Sequence, residues 1–329
     1  MSQGFDYIVV GAGSAGCVLA DRLTEDPATR VLLIEAGGRD RSPNIKIPAA
    51  FAKQFHTKLD WDFSTEPEPH VDGRSLYVPR GKSLGGSSSM NAMLYVRGRP
   101  LDYDLWEEQG AVGWGWRDVL PYFLKSEDNV SGASEFHGVG GPLRVSNQRS
   151  PRADIDRRLI AASEAAGIPR SHDYNGPEQD GVAMFQVNQR NGRRWSAADA
   201  FLRPALKRHN LEVMTRTQVL SVELEGDRAV GVRTTSSSGR VRSIRAEREV
   251  ILSAGAIGSP QLLLLSGMAR PTTCAGSAWR CATTCPEWAA TSRTTLPSRS
   301  YGRSPTRTPS TVPTSRSRSL SGYCAARVP

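Results

Sequence analysis

Residues 5–10 form a short apolar run rich in β-branched side chains, which predicts a buried strand. The run Gly11-Ala12-Gly13-Ser14-Ala15-Gly16 follows at once, and from 17 to 23 the apolar Val18, Leu19 and Leu23 fall at helical spacing. Residues 31–34 are a second apolar strand, ending at Glu35, so the chain opens with a β-turn-α-β unit of about thirty residues. Residues 37–82 hold Pro43, Pro48, Pro67, Pro69 and Pro79 and read as loop-rich. A helix, a turn and a second helix are predicted around Trp106, Trp114 and Trp116, with Trp116, Val119, Leu120 and Phe123 on one face. Residues 153–166 and 197–208 read as amphipathic helices, the second with Ser196 as its N-cap. The alternating segments 211–214, 219–224, 229–234 and 241–246 predict antiparallel strands. Another strand over 249–253 precedes a helix over 259–265. Beyond Gly267 neither period persists, and Thr, Ser, Arg and Pro dominate.

Gly11-x-Gly13-x-x-Gly16 sits between a strand and a helix, where a dinucleotide-binding turn belongs. The first glycine permits the tight turn, the second lets the backbone approach a pyrophosphate, and the third lets the helix pack on the strand. The free N–H groups and the dipole of the helix N-terminus, where Ser14 stands, favour phosphate. Glu35, about twenty residues on, can accept hydrogen bonds from ribose hydroxyls. This motif alone fits FAD and NAD equally.

Two further stretches separate them. Gly81-Lys82-Ser83-Leu84-Gly85-Gly86-Ser87-Ser88-Ser89-Met90-Asn91-Ala92-Met93-Leu94-Tyr95-Val96-Arg97-Gly98 resembles the first signature of the glucose–methanol–choline (GMC) oxidoreductases. Residues 255–267, GAIGSPQLLLLSG, resemble their second. The resemblance spans residues 4–267 and is nearest to choline dehydrogenases through Asn91–Gly98 and Leu101-Asp102-Tyr103-Asp104. It implies an α/β fold: a doubly wound, Rossmann-like FAD-binding domain threaded by part of an α+β substrate domain. The implied division is 1–150 (FAD domain, first part), 151–205 (partial substrate domain), 206–267 (FAD domain, second part) and 268–329 (a disordered tail). It also implies FAD over Gly11, Gly13, Ser14 and Gly16, with its ribose on Glu35. The loop of Leu84, Gly86, Ser87, Asn91, Ala92, Met93 and Leu94 would run along the flavin, with Val219 and Ala254 also at the cofactor. The implied reaction is oxidation of an alcohol CH–OH to a carbonyl, with hydride passing to the flavin. Some members tether flavin covalently through a histidine in the first signature. Met90 stands there in this chain, so non-covalent FAD is expected. None of His56, His70, His137, His172 and His209 matches the family's catalytic histidine, which lies further toward the C-terminus, so no catalytic residue is assigned. Each of the five reads as an ordinary loop or surface side chain.

Charge changes the picture only at the end of the chain. The net charge is +9, but residues 268–329 hold nine Arg, no Lys and one acid, Glu287. Eight of the nine net charges therefore sit there, and residues 1–267 are close to neutral. Cysteine divides similarly: Cys17 is alone in the body, whereas Cys274, Cys281, Cys285 and Cys324 follow Gly267 without metal-ligand spacing, so no metal is expected. One body cysteine, no signal peptide and no membrane-length apolar run point to a cytoplasmic protein. A single lost base explains the composition break. Ile-Gly-Pro written ATC GGC CCG becomes ATG GCC CG, giving Met268-Ala269-Arg270, and shifting 285–295 back can give PGVGRNLQDH, a family-like run. Residues 268–329 are therefore read as frame-shifted, leaving a C-terminally truncated, inactive member of the family. A small alcohol is the expected partner of the intact enzyme, with its electron acceptor open, and no nucleic acid is expected. Two other readings remain: an NAD(P)-dependent Rossmann dehydrogenase, and a non-catalytic polyanion binder acting through the Arg/Ser-rich tail.

Overall fold

The computed structural model describes residues 4–149, 152–236 and 239–268. The expected disordered, frame-shifted tail therefore lies, apart from Met268, outside the described residues. In chain order the elements begin β1 (Phe5–Val10), α1 (Ser14–Leu23), β2 (Val31–Ile34), α2 (Pro43–Lys46), β3 (Phe63–Ser64) and β4 (Tyr77–Val78). Next come α3 (Pro100–Glu108), α4 (Trp116–Ser126), β5 (Glu127–Asn129), β6 (Leu143–Asn147) and α5 (Ala153–Ala165). After these are β7 (Gln186–Val187), β8 (Gln189–Arg190), β9 (Arg193–Arg194) and α6 (Arg203–Ala205). The last are β10 (Leu211–Met214), β11 (Thr217–Glu225), β12 (Arg228–Ser236), β13 (Val241–Leu252) and α7 (Gly255–Leu265).

One six-stranded sheet in the order β10-β2-β1-β13-β12-β11 organises the molecule. Its β10, β2, β1 and β13 run parallel, and β13, β12 and β11 form an antiparallel meander. Alternate side chains supply two cores. Val9, Val31 and Leu33 pack with Cys17 and Ala20 of α1 and with the turn Ala198–Leu202. Ile8, Val10, Leu32 and Ile34 pack on the other face with Val219, Val232 and Leu262. Elements on both faces of a mostly parallel sheet make the fold the doubly wound α/β type. Cys17 is fully buried, and burial pushes its pKa up to about 12.

Two expectations are corrected. Residues 211–214 are parallel to β2 rather than part of the antiparallel set; a short alternating run does not encode the direction of its partner. Segments 241–246 and 249–253 are one strand, antiparallel to β12 at its start and parallel to β1 at its end. A register shift between Phe5 and Tyr7 gives β13 one extra residue there. The helix expected over 197–208 is present, π-wound over Ala198–Leu202 and continuing into α6 to Ala205. Ser196 Oγ caps it by accepting from Asp199 N–H at 3.3 Å, and the Asp199 carboxylate turns inward onto Ser196 and Lys46.

Away from the sheet, β5, β6 and β7 form a small sheet joined to the second glycine cluster by a buried polar network. The Arg97 guanidinium donates to Glu127 Oε2 at 2.7 Å and to the Tyr95 hydroxyl at 3.3 Å. His137 sits between Glu127 and Asp173 at 3.0 Å from each, so this histidine is buried rather than at the surface. Its hydrogen bond to Glu127 raises its pKa against the opposing effect of burial.

Candidate functional site

Parallel register brings three strand ends to one edge: Val10 pairs with Ile34 on one side and with Leu252 on the other. The residues just beyond them, Gly11, Glu35 and Ser253, line one cleft of about 560 Å³. Ligands of open parallel sheets bind in such a crevice outside the carboxyl ends of the strands. Gly11 N–H donates to Ile34 O and Ser253 N–H to Val10 O, both at 2.8 Å, fixing the floor.

The glycines of the first turn divide by role. Gly11 has φ +98°, and a Cβ there would lie 2.7 Å from Ser253 O. A Cβ on Gly16 would overlap the Gly11 carbonyl oxygen, so Gly16 is the helix-packing glycine and does not itself line the cleft. Gly13 differs, because its φ of −74° suits any L-residue and, its chain neighbours and own helix aside, the nearest atom of the described residues to an added Cβ is 3.9 Å away. Among the described residues nothing requires glycine at 13, and the cradle it leaves opens on the cleft at the N-terminus of α1 beside Ser14 and Ala15. A pyrophosphate meeting the unpaired first-turn N–H groups fits that cradle.

Glu35 is 6% exposed and lines the cleft. Its Oε2 accepts from Ala12 N–H at 2.9 Å and its Oε1 from Gly37 N–H at 2.8 Å. Burial raises its pKa against these two bonds. The carboxylate thus braces the glycine turn and keeps lone pairs for a ligand hydroxyl. Ser253 Oγ is buried and has no hydrogen-bond partner among the described residues, so it is free to bond a polar group of a ligand.

The second glycine cluster docks on the first. Gly85 N–H donates to Ala12 O at 2.7 Å, and a Cβ on Gly86 (φ +51°) would lie 2.7 Å from Gly13 Cα. Gly86 and Ser87 line the cleft, as do Val219 and Ala254. Leu84 and Met93 are 6% and 4% exposed and do not line it. Leu84 packs in the core with Val9 and Ala198, so only its backbone is available to a cofactor. Met93 holds φ +64°, and Asn91 Oδ1 accepts its N–H at 3.0 Å. Asn91, Ala92 and Leu94 are exposed beyond the cleft rather than in its wall. Residues that sequence reasoning left out also line the cleft, among them Trp61, Phe63, Arg80, Thr217, Gln218 and Ser253. Trp61 stacks on Phe63 and carries the Lys82 ammonium over its ring at 4.3 Å. No local motif marks these residues; the β3–β4 hairpin brings the aromatics in.

The sequence profile of the GMC oxidoreductases matches residues 5–278. The chain belongs to the GMC oxidoreductase family. Human mitochondrial choline dehydrogenase is 48% identical over 272 residues, covering 80% of this chain and 46% of that protein. An uncharacterized GMC-type oxidoreductase of Mycobacterium tuberculosis is 50% identical over 268 residues, covering 80% and 50%. Among solved structures, pyridoxine 4-oxidase from Mesorbium loti superposes with a TM-score of 0.82 at 37% identity, covering 86% of this chain and 56% of that one. This GMC chain thus spans about half the length of the curated relatives it matches. FAD is the cofactor of the GMC family, and the cradle, the brace and the unsatisfied hydroxyl all suit it. Among the described residues, no helix is long and apolar enough to cross a membrane.

Proposed function

We propose that the cleft binds FAD non-covalently and that residues 4–267 are the flavin-binding domain, with part of a substrate domain, of an enzyme that oxidises an alcohol CH–OH to a carbonyl. The observation that carries this reading is the pairing of the two glycine clusters. Gly86 lies against Gly13, so a second backbone-lined loop meets the phosphate cradle and continues into residues 87–94. The cradle alone would fit NAD as well; the docked loop provides the extra surface that a flavin needs.

In this arrangement Gly11–Ser14 hold the diphosphate, Glu35 holds a ribose, and Val219 offers an apolar surface to the adenine. Bound FAD supplies a two-electron acceptor for hydride. Met90 is 3% exposed and has no nucleophilic nitrogen, which supports a cofactor that is not tethered. We infer the division given above, with 1–150 and 206–267 as the FAD domain and 151–205 as part of the substrate domain. A reduced, cytoplasmic location is supported by the single body cysteine, and a small alcohol is the inferred substrate class, as in the choline-dehydrogenase relatives. The composition break at Gly267 supports a frame shift in 268–329. An independent DNA read across the codons for 267–270 that shows no missing base, with the tail detected as peptide, would refute that part.

Purified protein should show a flavin absorption spectrum, and acid precipitation should leave all the flavin in the supernatant. Flavin retained in the pellet would refute non-covalent binding. A colourless soluble protein that takes up NAD and not FAD would refute the cofactor.

A further inference from the structure

Arg194, on β9, is 1% exposed, and its guanidinium reaches into the loop that precedes Met93. Nε donates to Ile45 O at 2.9 Å, Nη1 to Ser88 O at 3.1 Å and to Asn91 Oδ1 at 2.7 Å, and Nη2 to Asn91 O at 2.7 Å. Every acceptor is a neutral carbonyl. Among the described residues no carboxylate forms an ion pair with it. Asp199 is near enough to act on it electrostatically but is held by Lys46 and Arg203 at 2.8 and 2.7 Å. Burial lowers the Arg194 pKa to about 10, so the group is still charged at neutral pH. A buried charge without a counter-ion is costly, and most buried charges are paired.

Two consequences follow for the loop. Asn91 Oδ1 accepts from both Arg194 Nη1 and Met93 N–H, so it must be the oxygen, and among the described residues the amide NH2 is the end left without a partner, at an exposed position. The positive charge also sits directly behind Ser88 and Asn91, in the loop that the flavin reading runs along the cofactor.

We propose that Arg194 is the positioning residue of this loop, presenting Asn91 to the flavin as a hydrogen-bond donor and placing behind it a positive charge, bonded to carbonyls and to no carboxylate, that favours the reduced cofactor. The inference rests on the FAD reading above. Hydride from an alcohol carbon brings two electrons and one proton, so the cofactor becomes one charge more negative, and a fixed cation nearby stabilises that state. In the test the electrons come from dithionite.

The test measures the two-electron midpoint potential and the FAD dissociation constant of the full chain and its variants. Arg194→Met should shift the reduction equilibrium at least tenfold toward oxidised FAD, about 30 mV for a two-electron couple. Arg194→Lys keeps the charge and should stay within twofold of wild type. Asn91→Ala, at an exposed position, keeps the test decisive if Arg194→Met does not fold. It should leave the potential within twofold and weaken FAD binding at least fivefold. A lowered melting temperature with unchanged potential in Arg194→Met would reduce Arg194 to a structural clamp and overturn the proposal. So would a potential that falls as far in Arg194→Lys as in Arg194→Met, or Asn91→Ala that binds FAD as wild type does. A wild-type chain that binds no FAD removes the flavin reading and this inference together. Wild type that binds FAD with none of these shifts removes this inference alone.

Discussion

Gly13→Ala separates the needs of the fold from the needs of the ligand. Gly13 is the N-cap of α1 with φ −74°, and an added Cβ would meet no atom of the described residues closer than 3.9 Å, its chain neighbours and own helix aside. Alanine caps less well than glycine, at a cost of up to about 1 kcal/mol. It also restricts the unfolded chain, which returns about 0.4–1 kcal/mol. The two nearly cancel, so the melting temperature of the apoprotein should move by no more than about 4 °C. The methyl would occupy the cradle assigned to the pyrophosphate. Forced overpacking costs about 1–3 kcal/mol, which is about 5–150-fold in FAD affinity. Gly16→Ala is the control, because its Cβ would overlap the Gly11 carbonyl and it should destabilise the apoprotein itself. Thermal melts of both apoproteins and calorimetric FAD titrations provide the comparison. Gly13→Ala that melts as low as Gly16→Ala, or that binds FAD as wild type does, would refute the division of roles between these glycines.

Glu35→Gln should turn an amide NH2 toward Ala12 N–H or Gly37 N–H, leaving a buried donor unsatisfied at about 1–3 kcal/mol of stability; an unchanged urea midpoint would contradict the bracing role. Because burial raises the Glu35 pKa and ribose hydroxyls prefer the carboxylate, affinity for ADP in wild type should increase as pH rises through that pKa, and flat affinity would count against the ribose contact. His137 titrates with the opposite consequence for stability. Its contribution is complete below the unfolded value of about 6.5 and is lost as pH rises through the raised folded value. Wild type should therefore exceed His137→Gln in stability by more at pH 6 than at pH 8, and an equal margin at both would show that the histidine does not titrate as a cation between Glu127 and Asp173.

The readable parts of the sequence were those where one local pattern has one structural solution. A β-branched run, three glycines at fixed offsets and a carboxylate after the second strand specify the turn, and the structure places Gly11, Gly13 and Glu35 in one cleft. Strand partners were not readable, because 211–214 has the same alternation whether it pairs parallel or antiparallel. The start of α7 was hidden: Gly255, Gly258 and Pro260 have poor helix propensity, yet the helix begins at Gly255. Its leucine-rich end is apolar all round, so no face could be chosen from the sequence. Trp61 and Phe63 reach the cleft through a hairpin, and His137 is buried by partners ten and thirty-six residues away. Such placements depend on tertiary contacts that no short window contains. Leu84 shows the converse: a residue inside a motif turns its side chain into the core.

The most direct test of the flavin assignment is an equilibrium titration of the apoprotein with FAD and, separately, with NAD. One FAD per chain should bind with a dissociation constant of about 1 μM or tighter, and NAD should bind far more weakly. NAD binding more tightly than FAD, or no FAD binding by a folded apoprotein, would contradict it.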